Sequence, residues 1–209
     1  MAVREVLRHP SVEQVTLVEL DPHMTRLFAS QPLLKALNAG ALSSPKLKTV
    51  NADAFGWLEA SDAMFDVIVV DFPDPTNFSL GKLYTTSFYG IVDRHLAAGG
   101  FVVVQTTSPL IARRSFWTVA TTLEAVGFTT TPYHAHVPSF GEWGFIVAGR
   151  RPFRAPTALP AGLRFLTPEG FPALLQFPPD MARVAAEPNR LSNQVLVHTF
   201  EEEWGRVQR

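Results

Sequence analysis

Two aspartates three residues apart carry the first chemical signal in this chain. They lie in Asp71-Phe72-Pro73-Asp74-Pro75, where two prolines stiffen the backbone and let both carboxylates face one cavity. The functional reading is a site for an ammonium group, with Phe72, Phe78 and Tyr84 at hand to flank a cationic alkyl chain. The structural alternative is a proline-rigid turn in which Asp74 caps a turn or helix. Three more polar residues close apolar, β-rich runs: Glu19, Asp53 and Gln105. In open parallel sheets, ligands bind outside the carboxyl ends of the strands. One acid at such an end is explained by capping the next helix. Three (Glu19, Asp53 and Asp71) on one rim would repel one another unless a cationic or donor-rich ligand sat among them. Glu19, at the end of a second strand, is where nucleotide-binding sheets accept hydrogen bonds from ribose hydroxyls, and Asp53 follows at the distance of an adenine amino group.

Other reactive types form no constellation. His134 and His136 share one face of an expected strand without a third ligand, so no metal site is expected. Ser108 and Ser139 lack a recognisable base partner, which argues against a hydrolase triad. Arg113-Arg114 reads as a solvated helix start.

The elements that must position these residues follow a strand–helix alternation. Val3, Val6 and Leu7 predict a short helix stopped by His9-Pro10. Residues 15–20 predict a strand, and Asp21-Pro22 an N-cap followed by proline at the first helical position. Residues 29–46 read as loop or broken helix, 47–51 as a strand and 55–58 as a short helix. The run Phe65-Asp66-Val67-Ile68-Val69-Val70-Asp71 predicts a parallel strand buried on both faces. A helix is expected from Thr86 to Leu96 with Gly99-Gly100 as its cap, then a strand over 101–105 and a helix from Arg113 to Val126 stopped by Gly127. Runs at 129–137 and 144–149 predict a closing pair of strands. The fold class is therefore α/β, a doubly wound sheet. Residues 1–150 form the expected main domain. Residues 151–209 change texture, holding eight of the 17 prolines, and predict an irregular extension packed on the core through Phe165, Leu166, Phe171, Phe177 and Trp204, ending in a short helix.

Composition narrows the function. The 209 residues are 46% hydrophobic and 18% charged, enough to bury a core and far from a disordered chain. A net charge of −1 supplies no basic field for nucleic acid. The absence of cysteine excludes disulfide scaffolds, zinc–thiolate sites and a cysteine nucleophile, and fits a reducing, cytoplasmic setting. No run approaches a membrane span, and MAVREVLRHP carries charges where a signal peptide needs its apolar core.

Taken together, REVLRHPSVEQVTLVELD, NADAF, FDVIVVDFPDP, LYTTSFYGIVDRHLAAGGFVVVQ and VPSFGEWGF, in this order over residues 3–149, resemble the polyamine aminopropyltransferases, the spermidine synthase family. The tail segments FPPDMARV and NRLSNQVLVHTFEEEW resemble the branch whose longer members carry a transmembrane region before the synthase domain. The resemblance implies a Rossmann-like sheet of the methyltransferase type with a terminal antiparallel strand pair. It implies transfer of an aminopropyl group from decarboxylated S-adenosylmethionine, used as co-substrate, to putrescine, releasing spermidine and methylthioadenosine without a metal. By motif, Asp71 resembles the catalytic base and an amine-binding acid, and Asp74 the second amine-binding acid. Gln105 and Phe140 fall at the amine site. Glu19, Asp53, Ala54 and Phe78 fall on the adenosyl side. Partners are then a polyamine and an adenosyl sulfonium, with a homodimer as in other family members. Any membrane attachment would come through a region outside this chain.

Three departures accompany the resemblance. The family's GGGDG-type loop would precede residue 3, so the first strand and that loop are expected to be missing. The family's DPxGP pattern reads Asp74-Pro75-Thr76-Asn77-Phe78 here, and a tyrosine common at the end of the substrate pocket is replaced by Phe140 in a shorter loop. Another diamine or polyamine acceptor therefore stands beside putrescine. A small-molecule methyltransferase using intact S-adenosylmethionine, and a non-catalytic synthase-like fragment, stand as alternatives for the function as a whole.

Overall fold

The structure, a computed structural model, describes residues 2–207. The chain divides into two compact units, Met1–Ser61 and Asp62–Arg209.

The first unit is a small parallel pair of strands with helices. Helix α1 (Ala2–Leu7) leads to β1 (Val15–Glu19), α2 (Pro22–Ser30), α3 (Pro32–Leu37), β2 (Leu47–Asn51) and α4 (Ala54–Glu59). Asp21 caps α2 by accepting from His23 N–H at 2.7 Å, with Pro22 opening the helix as its missing donor allows. The stretch expected to be a broken helix is α3 and a single 3-10 turn, separated by a turn in which Ala39 and Gly40 both have positive φ. β1 and β2 run parallel, with Glu19 opposite Asn51.

The second unit is built on a four-stranded sheet. Its elements are β3 (Phe65–Val70), α5 (Phe78–Gly81), α6 (Thr86–Arg94), β4 (Leu96–Gln105), α7 (Arg113–Val126), β5 (Thr129–Val137), β6 (Gly141–Gly149), α8 (Phe171–Leu174) and α9 (Val195–Val207). Strand order is β3-β4-β6-β5. β3 and β4 are parallel, while β6 is antiparallel to both β4 and β5, which makes the sheet mixed. Val102, Val104 and Ile146 on the sheet, Phe116 and Leu123 on α7 and Leu196 on α9 are fully or almost fully buried. Each such side chain contributes roughly 1.5–3 kcal/mol relative to exposure.

Three expectations are corrected. The apolar run at 65–71 does form a parallel strand, but at the sheet's edge. No strand pairs with its outer side among the described residues, and Val67 and Val69 are 60% and 50% exposed. Gly99 and Gly100 do not cap α6. That helix ends at Arg94, and Arg150 closes the corner by donating to the carbonyls of Asp93 and Leu96. The glycines lie inside β4 instead. Gly99 has φ +81°, and a Cβ on Gly100 would stand 2.7 Å from the carbonyl oxygen of Asp66. The strands also fall into sheets of two and four rather than one.

Residues 151–209 meet the sheet's helices at specific points. Trp117 Nε1–H donates to Met181 O at 3.0 Å, Arg113 Nε–H to Ala182 O at 2.6 Å, and Phe177 packs on Phe116 and Trp117. Phe165, expected to pack, is 63% exposed in a stretch without regular structure. Among the described residues, no helix is long and apolar enough to cross a membrane.

Candidate functional site

The segment 71–77 leaves the buried end of β3 without helix or strand, and a tyrosine holds it. Tyr84, only 2% exposed, directs its hydroxyl at the carbonyl oxygens of Pro73 (3.0 Å) and Phe72 (3.2 Å). Pro73 and Pro75 have no N–H, so the loop cannot hold itself by backbone ladders and takes its anchor from a side chain. Phe72 lies edge-on to Phe88 and Tyr84 at 5.5 and 6.4 Å. Asn77 closes the loop by capping α5, accepting from Leu80 N–H at 3.0 Å.

Asp74 is half-buried, and burial pushes its carboxyl above the ordinary aspartate value. Burial, then the charges of Asp74 and Asp71, push the Tyr84 phenol well above its own, so Tyr84 stays a neutral donor. Asp71 is exposed at the foot of the loop.

A cleft of 510 Å³ opens beside Asp74. Its walls include Phe72, Asp74, Gln105, Phe140, Trp143 and Trp204. Three of the expected amine-site residues are thus brought together: Asp74 from the loop, Gln105 from the end of β4 and Phe140 from the β5–β6 turn. Asp71 adjoins this wall through Phe72 but does not line the cleft. Phe78 is 56% exposed on α5, with its ring 5.6 Å from that of His198, and does not line it either.

Behind the wall, β4 runs past its last paired residue, Gln105. Thr106 donates through both N–H (3.0 Å) and Oγ1–H (2.8 Å) to Gly144 O, and Gly144 N–H donates to Thr107 O at 3.1 Å. This sets Trp143, its neighbour on β6, into the wall. Trp143 is 6% exposed, and its buried indole N–H has no acceptor among the described residues. An acid, an amide and several aromatic faces form a site suited to an ammonium on an alkyl stem. Trp143 and Trp204 were not singled out by the sequence reading of the site. The EWGF motif carried a signal for the first. The second lies 97 residues from its partner Thr107 and has no local signal.

In the first unit, Glu19 and Asp53 stand at the carboxyl end of the same strand pair. Glu19 Oε1 accepts from Asp21 N–H at 2.9 Å, and Asp53 caps α4 through Gly56 N–H at 3.1 Å, with Ala54 as the first helical residue. Both acids therefore have structural work in their own turns. His134 is paired with Glu142 and meets Gln176 O at 2.7 Å.

The chain is 54% identical over 211 residues to polyamine aminopropyltransferase 2 of Ralstonia nicotianae, covering 100% of this chain and 41% of that protein. It is 49% identical over 207 residues to the polyamine aminopropyltransferase of Leptospira interrogans, covering 99% and 42%. The chain thus spans about two fifths of the length of these relatives. In fold it is similar to spermidine synthase from Thermotoga maritima, with a TM-score of 0.63 at 22% identity over 98% of this chain and 64% of that one. It is also similar to a spermidine synthase in complex with the transition-state analogue AdoDATO, with a TM-score of 0.66 at 22% identity over 98% and 65%. The mixed α/β sheet is accordingly of the spermidine synthase, methyltransferase-like type. Residues 1–153 match the spermine/spermidine synthase domain, and the chain belongs to that family.

Proposed function

We propose that this domain carries out aminopropyl transfer from decarboxylated S-adenosylmethionine to putrescine or a related amine, yielding spermidine (or its homologue) and methylthioadenosine. The observation that carries this reading is the cleft in which Asp74, Gln105 and aromatic faces meet beside the Tyr84-held loop. The names of the relatives in Ralstonia and Leptospira support it.

In this reading Asp71 is the base. A primary amine is about 3.4 units from neutrality at pH 7, so freeing its lone pair costs about 4.6 kcal/mol. A carboxylate at the reacting nitrogen accepts that proton while the lone pair attacks the carbon beside the sulfonium. The carbon–sulfur bond breaks, and its electrons leave on sulfur as the neutral thioether. Asp74 holds the far ammonium and, with Gln105 and Phe140, fixes the acceptor. Glu19, Asp53, Ala54 and Phe78 take the adenosyl group. Residues 1–150 act as the catalytic domain and 151–209 as an extension packed on it, working in the cytoplasm.

The test is a product assay on the full chain with decarboxylated S-adenosylmethionine and putrescine. Methylthioadenosine and spermidine in equal amounts are expected, and Asp71→Asn should lower turnover about a hundredfold or more. Thermal stabilisation by intact S-adenosylmethionine, with transfer of a methyl group, would replace this reading by a methyltransferase. Ligand binding without turnover would make the domain a non-catalytic binder.

A further inference from the structure

The family match ends at residue 153, yet the cleft does not. One of its walls, Trp204, comes from α9 in the extension. The two relatives compared above align along essentially the whole chain, extension included.

The placement of α9 is over-determined. Leu196, Val197, Phe200 and Glu203 are buried, a stripe of three apolar residues and one acid on a single helix face. The acid has a purpose. α7 begins after Ala112, which offers no side-chain cap. The Glu203 carboxylate accepts instead from Arg114 N–H (2.8 Å), Ser115 N–H (3.0 Å) and Ser115 Oγ–H (2.7 Å), so a residue of α9 caps α7. The other end of α9 is tied by Asn189, fully buried. Its Oδ1 accepts from Leu196 N–H at 3.2 Å, and its Nδ2–H group donates to Tyr84 O (3.1 Å) and Gly81 O (3.2 Å). The residue next to the buried acid is Trp204. Its Nε1–H donates to Thr107 Oγ1 at 3.2 Å, and its ring lies 6.4 Å from that of Trp143.

We propose that Trp204 is a specificity-determining residue of the amine site, an aromatic wall that stacks on the acceptor's alkyl-ammonium chain and sets the length of linear diamine or polyamine accepted. The inference rests on the reading of the cleft as an amine site. With the far ammonium held at Asp74, the methylenes beside it, and in a polyamine the chain beyond it, lie against the faces of Phe140, Trp143 and Trp204. Stacking on an indole favours cations and excludes water. The ring's tilt is fixed by Thr107 and its depth by Glu203, so chain length is read against a rigid surface.

The experiment measures amine binding by calorimetry, independently of turnover, on the full chain with diaminopropane, putrescine, cadaverine and spermidine. The variants are Trp204→Ala, Trp204→Phe and Thr107→Val, with Phe165→Ser as a control in the exposed part of the extension. The parent is expected to prefer one length. Trp204→Ala should weaken that amine about tenfold or more and flatten the length preference, Trp204→Phe should retain most of both, and Thr107→Val should fall between. Affinity for methylthioadenosine should not change. If Trp204→Ala keeps the parent's affinities and length order, the inference is overturned and the transferase reading is untouched. If the parent binds amines with length selectivity lost in Trp204→Ala but produces no spermidine, the transferase reading fails and the wall stands. If the parent binds no amine, both are lost.

Discussion

The hydroxyl of Tyr84 stands 3.0 Å from the carbonyl oxygen of Pro73, and this bond joins the acid loop to the helical layer. The same tyrosine's own carbonyl accepts from Asn189 Nδ2–H, so the extension, the 3-10 turn ending at Tyr84 and the loop form one chain of contacts. Tyr84→Phe keeps the ring and removes the donor, leaving two loop carbonyls without it. The expected cost is about 1–2 kcal/mol of stability, measured by urea denaturation, with a larger rise in the amine's KM than fall in kcat. An unchanged KM would mean that the prolines alone hold the loop.

Asp74 makes folding pH-dependent with a definite sign. Burial raises its folded value above 3.8, so between 3.8 and that raised value the folded chain holds a proton the unfolded chain has lost. The contribution of this group to stability therefore falls as pH rises through that window, and the carboxylate at neutral pH is a cost the domain carries. Asp74→Asn should be at least as stable as the parent at pH 7 and show a flatter stability profile across the window, while losing amine binding. Amine affinity of the parent should rise with pH over the same range as the carboxylate forms. A variant less stable than the parent at neutral pH would show instead that the carboxylate is satisfied within the protein.

Much of this was legible locally. Asp21-Pro22 predicts the start of α2, Gly127 the end of α7, and the β-branched run before Asp71 the strand that delivers the acid loop. Each signal lies within a few residues of its effect. The failures share a different cause. Gly99-Gly100 looks like a helix stop, but the glycines answer a close approach by Asp66 O, which no local pattern encodes. Val67 and Val69 look buried because apolar content does not reveal a strand's place in the sheet order. Glu203 caps α7 through Arg114 N–H, 89 residues earlier, and Trp204 bonds to Thr107 from 97 residues away, so the cleft's outer wall is a product of topology.

Gly144 is required by space. A Cβ there would stand 2.4 Å from Phe116 Cε2 and 2.7 Å from Thr107 O. Phe116 is fully buried, and Thr107 O is the acceptor of Gly144's own N–H, so neither retreats freely. Gly144→Ala should destabilise by about 1–3 kcal/mol through overpacking and displace Trp143 in the cleft wall. Thermal unfolding and amine titration check both parts. A drop in stability with amine affinity intact would separate the packing of Phe116 from the site.

Glu203 offers a graded test of the clasp between α9 and α7. Its carboxylate serves three donors at the first turn of α7, and it is 9% exposed. Glu203→Ala leaves those donors buried or half-buried without their acceptor, an expected loss of about 2–4 kcal/mol. Glu203→Gln retains one acceptor oxygen but turns an NH2 toward donors, and should lose about half as much. The neighbouring Glu202, paired with Arg114 and Arg206 at the surface, should contribute under about 1 kcal/mol in Glu202→Gln, and that contribution should shrink with added salt. The Glu203 effect should persist in salt, because the interaction is shielded from solvent. Urea midpoints for the three variants at low and high salt give the order directly. If Glu202→Gln matched Glu203→Ala, surface pairing rather than the remote cap would hold α9, and Trp204 with it, against the cleft.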